Sequence, residues 1–215
     1  MIKNDELIKK VQSYNKFLNK DTLSKAYNFA ALIHETGHAL GLDHPHEGED
    51  QLKEQNDFTH YTLMSYNDSA EAYYKPPNST ISNYVVSYSP MVLDIAAIQY
   101  LYGPATFNPG STLYEVDLTR PFVQSIWDSS GTDTLDLSTS KYQCVINLEP
   151  GSYSTIPCDN WSMEDNLGIA YGAIIENANG GLSDDSIFGN SVDTYYGKLI
   201  EAEVTQDMYE TDMIF

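Results

Sequence analysis

The sequence predicts an α+β protein, helical up to about residue 104 and mostly β beyond it. Two observations carry this. Before residue 104, apolar residues recur at helical spacing between recognisable start and stop signals. After it, short runs of Val, Ile, Leu, Phe and Tyr alternate with Gly, Asp, Asn and Ser, with no helical period. The division expected is therefore 1–104 and 105–215.

Taken in order, Leu7, Ile8, Val11, Phe17 and Leu18 stand at near-helical spacing with lysines between them, which predicts an amphipathic helix over 5–18. "DTLSKAYNFAALIHETGHAL" predicts a second helix, capped by Asp21 or Thr22 and ended by Gly41. From Asp43 to Pro77 the chain is polar and broken, the pattern of a long loop, and a loop of that length in a compact domain is expected to carry function. "SPMVLDIAAIQYLYGP" predicts a third helix, with Ser89 as cap, Pro90 in the first turn, a stripe of Leu93, Ala96, Ala97 and Leu101, and Gly103-Pro104 as its stop. Residues 105–200 read as strands and turns, and the Gly- and Asp-rich "GGLSDDSIFGNSVDTYYG" as a turn-dense segment suited to cations.

Charge narrows the function classes. The chain carries 31 acidic and 11 basic residues, a net charge of -20, which argues against nucleic acid or an anionic membrane as partner and for solubility or cation binding. The first 33 residues run the other way, with six lysines against three acids. No stretch has the length and apolarity of a membrane span, and "MIKNDELIKK" lacks the apolar run of a secretory signal. With only Cys144 and Cys158, no disulfide framework holds the fold; one bridge or two buried thiols are both open.

The chemistry concentrates in "HETGHALGLDHP", residues 34–45. On a helix, His34 and His38 lie four residues apart and project from one face, so two imidazoles reach one ion at about 2.0–2.1 Å. Gly41 can take the left-handed conformation that breaks the helix and lets His44 come round as a third ligand. Three protein ligands with a fourth position left open is the arrangement of a catalytic zinc. Glu35, beside the first ligand, is the candidate general base: it takes a proton from an acidified water and gives it to the departing amine. The alternative is a helix that happens to carry histidines, but requiring Gly41 and His44 at fixed offsets lowers chance agreement by roughly a thousandfold. His46 and His60 fit no ligand spacing and read as loop histidines.

HExxHxxGxxH followed by "TLMSYND", residues 62–68, resembles the metzincin zinc peptidases with their Met-turn. The resemblance implies that Met64 is an apolar floor beneath the imidazoles, and that Tyr66 binds the resting metal and swings away to hydrogen-bond the oxyanion. "MVLDIAAIQYLYGP", "SIWDSSGTDTLDLS" and "GAIIENANGG" are similar to serralysins in particular, over about residues 30–189. That likeness implies a zinc endopeptidase, secreted and extracellular, monomeric, acting on protein or peptide substrates. It also implies calcium. "GGLSDDSIF", residues 180–188, resembles the family's GGxGxDxUx β-roll repeat, with Ser183 where the repeat has glycine and Asp185 as the implied ligand. Asp128, Asp133 and Glu176, with a carbonyl from Gly131, are hard oxygen donors of the type calcium takes, and the resemblance places them at a calcium site; the alternative is that they are solvated turn residues. The ending "ETDMIF" is similar to the tail by which serralysins leave through a one-step (type I) exporter. Serralysins also carry a sheet before the zinc helix whose edge strand holds the substrate; the residues ahead of His34, basic and helical in pattern, predict no strand to serve that role.

Overall fold

The computed structural model describes residues 22–48, 51–68, 73–74, 83–87, 89–159, 161, 163–191 and 195–196. The helix expected over 5–18 and the terminal "ETDMIF" lie outside these residues.

Helix α1 spans Thr22–Ala39. It ends in a Schellman motif: Gly41 takes φ +96°, its N–H reaches the His38 carbonyl and the Leu42 N–H reaches that of Gly37, both at 3.0 Å. A side chain with a Cβ would strain there, so the expected role of Gly41 follows from its backbone. Helix α2 spans Val92–Tyr102 and stops at Gly103, φ +80°.

Two expectations for α2 need correction. Met91, not Ser89, stands at the N-cap, and its N–H is taken by the Asp94 carboxylate at 2.8 Å, whereas the Ser89 hydroxyl accepts from the Ser125 N–H at 2.7 Å. The expected stripe is not the buried face either. Leu93, Ala96 and Ala97 are half-buried and Leu101 is exposed, while Val92 and Asp94 are buried. The helix is held by its first turn, where an ionisable side chain supplies the cap, rather than by an apolar seam.

The stretch from Asp43 to Pro77 is not loop throughout. It holds a short 3₁₀ turn, Glu54–Asn56, and strand β1, Tyr73–Tyr74, which pairs antiparallel with β2, Asn83–Tyr84.

Beyond α2 the described residues form strands of two or three residues. β3 (Leu113–Glu115), β5 (Thr134–Asp136), β9 (Asn177–Asn179) and β11 (Tyr195–Tyr196) make a parallel sheet in the order β11-β9-β5-β3. β4 (Gln124–Ile126) runs parallel to β8 (Leu167–Ile169), with β7 (Tyr153–Ser154) antiparallel on its other side; β6 (Val145–Asn147) pairs parallel with β10 (Ser186–Phe188). β5, β6, β9 and β10 each bury the residue at their centre. Leu135 and Ala178 face each other in register in one sheet, Ile146 and Ile187 in another, and all four are buried. Each large aliphatic among them contributes about 1.5–3 kcal/mol by burial. The same apolar cluster continues across residue 104 to Met91, Leu63, Val85, Val86 and Ala30.

Cys144 and Cys158 are both free and buried. Burial pushes the Cys144 thiol up to about 11 and that of Cys158 to about 12, so neither is a thiolate at neutral pH. A thiol-specific disulfide reagent is expected to leave the folded protein untouched and to titrate both thiols once it is unfolded without reductant. No titratable thiol in the unfolded chain would mean that the two are bridged.

Candidate metal centre

The two helical histidines are aimed by main-chain carbonyls. His34 Nδ1 donates to the Leu63 carbonyl at 2.6 Å, and His38 Nδ1 to the Leu42 carbonyl at 2.8 Å, inside the turn that Gly41 opens. A carbonyl only accepts, so both Nδ1 atoms carry the proton and both Nε2 atoms present a lone pair. Those lone pairs converge on the Nε2 of His44, 3.0 Å from His38 and 3.3 Å from His34. Three nitrogens held about 2.0–2.1 Å from one ion at tetrahedral angles stand about 3.4 Å apart. With the His44 Nε2 unprotonated, three lone pairs face one point and a cation there satisfies them all, so this donor set fits zinc.

The rest of the expected centre gathers on one cleft. A cavity of about 540 Å³ is lined by His34, Glu35, Tyr66, Tyr84 and Thr59 among others. Tyr66 stands with its ring 4.4 Å from that of His44 and 5.6 Å from that of His34, and it is 64% exposed. Glu35 is exposed on the same cleft. Tyr84 belongs to β2, so a strand does contribute a residue to the cleft wall.

Met64 is buried, and its sulfur lies 2.6 Å from where a Cβ on Gly37 would stand. Gly37, in the middle of the histidine motif, lets the Met-turn come up against α1. Sequence reasoning passed over it, since only the position of Met64 reveals the need. It also passed over Asp94. This buried carboxylate accepts from the Thr62 hydroxyl at 2.5 Å and from the N–H groups of Leu63 and Met91 at 2.8 Å each. Asp94 thereby pins the start of α2 to the residue whose carbonyl aims His34. Burial raises its pKa, against the lowering effect of these hydrogen bonds.

The two histidines read as loop residues differ. His60 is buried. His46 lies parallel to His44, ring centres 5.5 Å apart, with Nδ1 3.6 Å from the Asp57 carboxylate.

The oxygen-donor candidates divide. Asp128, Asp133 and Glu176 come together. The Asp133 Oδ1 accepts from the Thr112 N–H at 2.7 Å, its own N–H donates to Glu176 Oε2 at 2.7 Å, and Asp128 takes the Ser130 N–H and the Tyr114 hydroxyl. Gly131, φ +152°, admits no Cβ because the Gly110 carbonyl would stand 2.6 Å away. Asp133 Oδ2 is buried without a hydrogen-bond partner, and the Asp133 pKa is raised, by burial first and then by the charges of Asp128 and Glu176. The Tyr114 hydroxyl is pushed up to about 12, by burial and then by its bond to Asp128. Crowded carboxylates around an orphaned oxygen fit a hard cation. Asp185, in the repeat at 180–188, stands apart from these three. Its two oxygens accept from the N–H groups of Cys144 at 2.7 Å and Gly181 at 2.5 Å, bracketing β6 to the turn before β10.

Residues 101–214, more than half of the chain, match the family model described as peptidase M10 serralysin C terminal. The chain belongs to the serralysin family of M10 metallopeptidases. Serralysin C of Dickeya chrysanthemi is 37% identical over 191 residues, which is 80% of this chain and 38% of that protein. A serralysin of Proteus mirabilis is 35% identical over 190 residues, 78% of this chain and 36% of its own length. Metallopeptidase AprA of Pseudomonas marginalis is 35% identical over 195 residues, 80% and 39%. The chain thus spans about two fifths of the length of these curated serralysin relatives. Among the described residues no helix is long and apolar enough to cross a membrane.

Proposed function

We propose that this chain carries the zinc centre of an endopeptidase, with His34, His38 and His44 as metal ligands, Glu35 as general base and Tyr66 as oxyanion donor. The observation that carries the reading is the convergence of the three Nε2 atoms at 3.0 and 3.3 Å, with carbonyls fixing the tautomer of two of the rings. Zinc held there by the three histidines would supply Lewis acidity and acidify the attacking water. Glu35, on the same cleft, takes the proton and returns it to the leaving amine. Tyr66, whose ring lies beside those of His34 and His44, donates its hydroxyl to the charge that develops on the carbonyl oxygen. Met64 excludes water from beneath the imidazoles.

On this reading the substrates are proteins or peptides, as the names of the relatives suggest, and the protein works outside the cell as a monomer, delivered by a type I exporter. The division at residue 104 separates the peptidase part from a β-roll-like part. The test is metal-dependent proteolysis. Removing metal with a chelator is expected to stop hydrolysis of unfolded casein, and stoichiometric zinc to restore it. A zinc-loaded protein that leaves casein intact would favour the alternative, a zinc- and calcium-binding module without catalysis.

We propose further that Asp128, Asp133, Glu176 and the Gly131 carbonyl hold calcium, and that Asp185 is a calcium ligand of the repeat at 180–188. The pH dependence has a definite sign. In the metal-free fold the Asp133 pKa lies above 3.8, so the native state binds more protons than the unfolded chain between 3.8 and the raised value. Metal-free stability therefore falls as pH rises through that window, and calcium, displacing the proton, opposes the fall. Thermal unfolding with and without a calcium chelator is expected to show a small difference near pH 4 and a larger one at neutrality, about 2.7 kcal/mol where calcium is at 100 times its dissociation constant. Equal midpoints at both pH values would reject the site.

A further inference from the structure

The third histidine is unlike the other two at its outer nitrogen. His44 Nδ1 meets no carbonyl. Glu47 Oε1 lies 3.2 Å from it without forming a hydrogen bond, so the buried Nδ1 has a carboxylate beside it and no hydrogen-bond partner. An oxygen beside a ring nitrogen at that separation, away from the line of its N–H, is where a second ligand stands when both bind one ion. His46 completes the group: one ligand atom each from His44, His46 and Glu47 lies within 4.8 Å of the others. A second orphan adjoins it. Asp57 is 6% exposed; its Oδ2 takes the Asn67 side-chain amide at 2.8 Å and faces His46 Nδ1 at 3.6 Å, while Oδ1 is buried with no partner. Buried polar atoms are rarely left unmatched, and the bare His44 Nδ1 with a carboxylate and a second imidazole beside it is such an atom.

We infer a second divalent-cation site on the 44–57 loop, with His44 Nδ1, His46 and Glu47 as ligands and Asp57 orienting His46. Two imidazole nitrogens and a carboxylate suit zinc or copper over calcium or magnesium. His46 is the movable member, 38% exposed at its side chain and able to turn its ring toward the ion. Binding there would release the proton of His44 Nδ1 to solvent, and the His44 ring would then offer one nitrogen to each site. The site shares His44 with the proposed peptidase centre but does not require that centre to be catalytic. Its effect is to make that centre respond to zinc in excess, because a second cation on the far side of the ring withdraws charge from the ligand.

The experiment is a zinc titration of the full chain by calorimetry with metal analysis, in millimolar calcium to fill the oxygen sites. Two equivalents are expected, the weaker lost or weakened at least tenfold in His46→Ala/Glu47→Ala and in Glu47→Gln, the tighter kept in both. His34→Ala is expected to lose the tighter one instead. With two equivalents of Cu²⁺, exchange through the bridging ring is expected to reduce the integrated electron paramagnetic signal below that of two isolated ions, and His46→Ala/Glu47→Ala to return the signal of one. A single equivalent that depends on His34 and is indifferent to His46 and Glu47 would overturn the second site and leave the first intact. A single equivalent that depends on His46 and Glu47 and survives His34→Ala would do the opposite. Full paramagnetic intensity for two bound coppers would overturn the bridge.

Discussion

Replacing Glu35 with alanine is expected to leave zinc bound and to slow casein hydrolysis by two to four orders of magnitude. The magnitude is that of a positioned general base. The separation of binding from turnover follows from the geometry. The ligands are aimed by the Leu63 and Leu42 carbonyls, neither of which Glu35 touches in any described hydrogen bond, and its exposed side chain contributes little to packing. Zinc content measured on the same preparation makes the comparison decisive. Equal hydrolysis by the parent and the variant, both zinc-loaded, would assign the cleavage to a contaminant or to another residue and would end the general-base role. Loss of zinc along with activity would mean that Glu35 supports the centre rather than the reaction.

The second large effect is expected at Asp94. Asp94→Ala removes the acceptor of three donors at once, the Thr62 hydroxyl and the N–H groups of Leu63 and Met91, in a place that excludes water. Unsatisfied buried donors cost about 1–3 kcal/mol each, and partial relaxation brings the expected loss to roughly 3–5 kcal/mol. Zinc affinity is expected to fall as well, because the Leu63 carbonyl that orients His34 loses its anchor. Asp94→Asn keeps an acceptor and should recover part of both. Chemical denaturation gives the first quantity and competition with a metal-sensitive dye the second. A variant as stable as the parent would show that the carboxylate's burial costs as much as its hydrogen bonds return.

The centre was legible in the sequence to the extent that its parts are local. His34 and His38 on one helix face, Gly41 at the break and His44 after it all follow from spacing within eleven residues, and the Schellman motif at Gly41 is the physical content of that spacing. What could not be read is what comes from elsewhere in the chain. Leu63 aims His34 across 29 residues and Asp94 braces Leu63 across 31; neither has a pattern that singles it out, since a main-chain carbonyl has no residue type and an acid in a helix usually faces water. The α2 stripe misled for the same reason, as apolar periodicity says which face can be buried and not whether another element covers it. The strands after residue 104 were legible as a class. Their parallel order was not, because Tyr114, Leu135 and Ala178 align only through connections of unequal length, whose turns are interleaved with strands of other sheets.

Those turns impose an order of events on folding. β3, β5 and β9 are separated by long intervals, and three-residue strands release little energy until all are aligned, so chain closure is slow and comes before any reward. The residues just ahead of β5 and β9 are Asp133 and Glu176, and Thr112 just ahead of β3 donates to the first of them, which brings like charges together at the moment the strands meet. If the proposed calcium site binds, neutralising those charges would remove an electrostatic barrier to alignment, and the rate at which these strands assemble would become a reading of the cation supply around them.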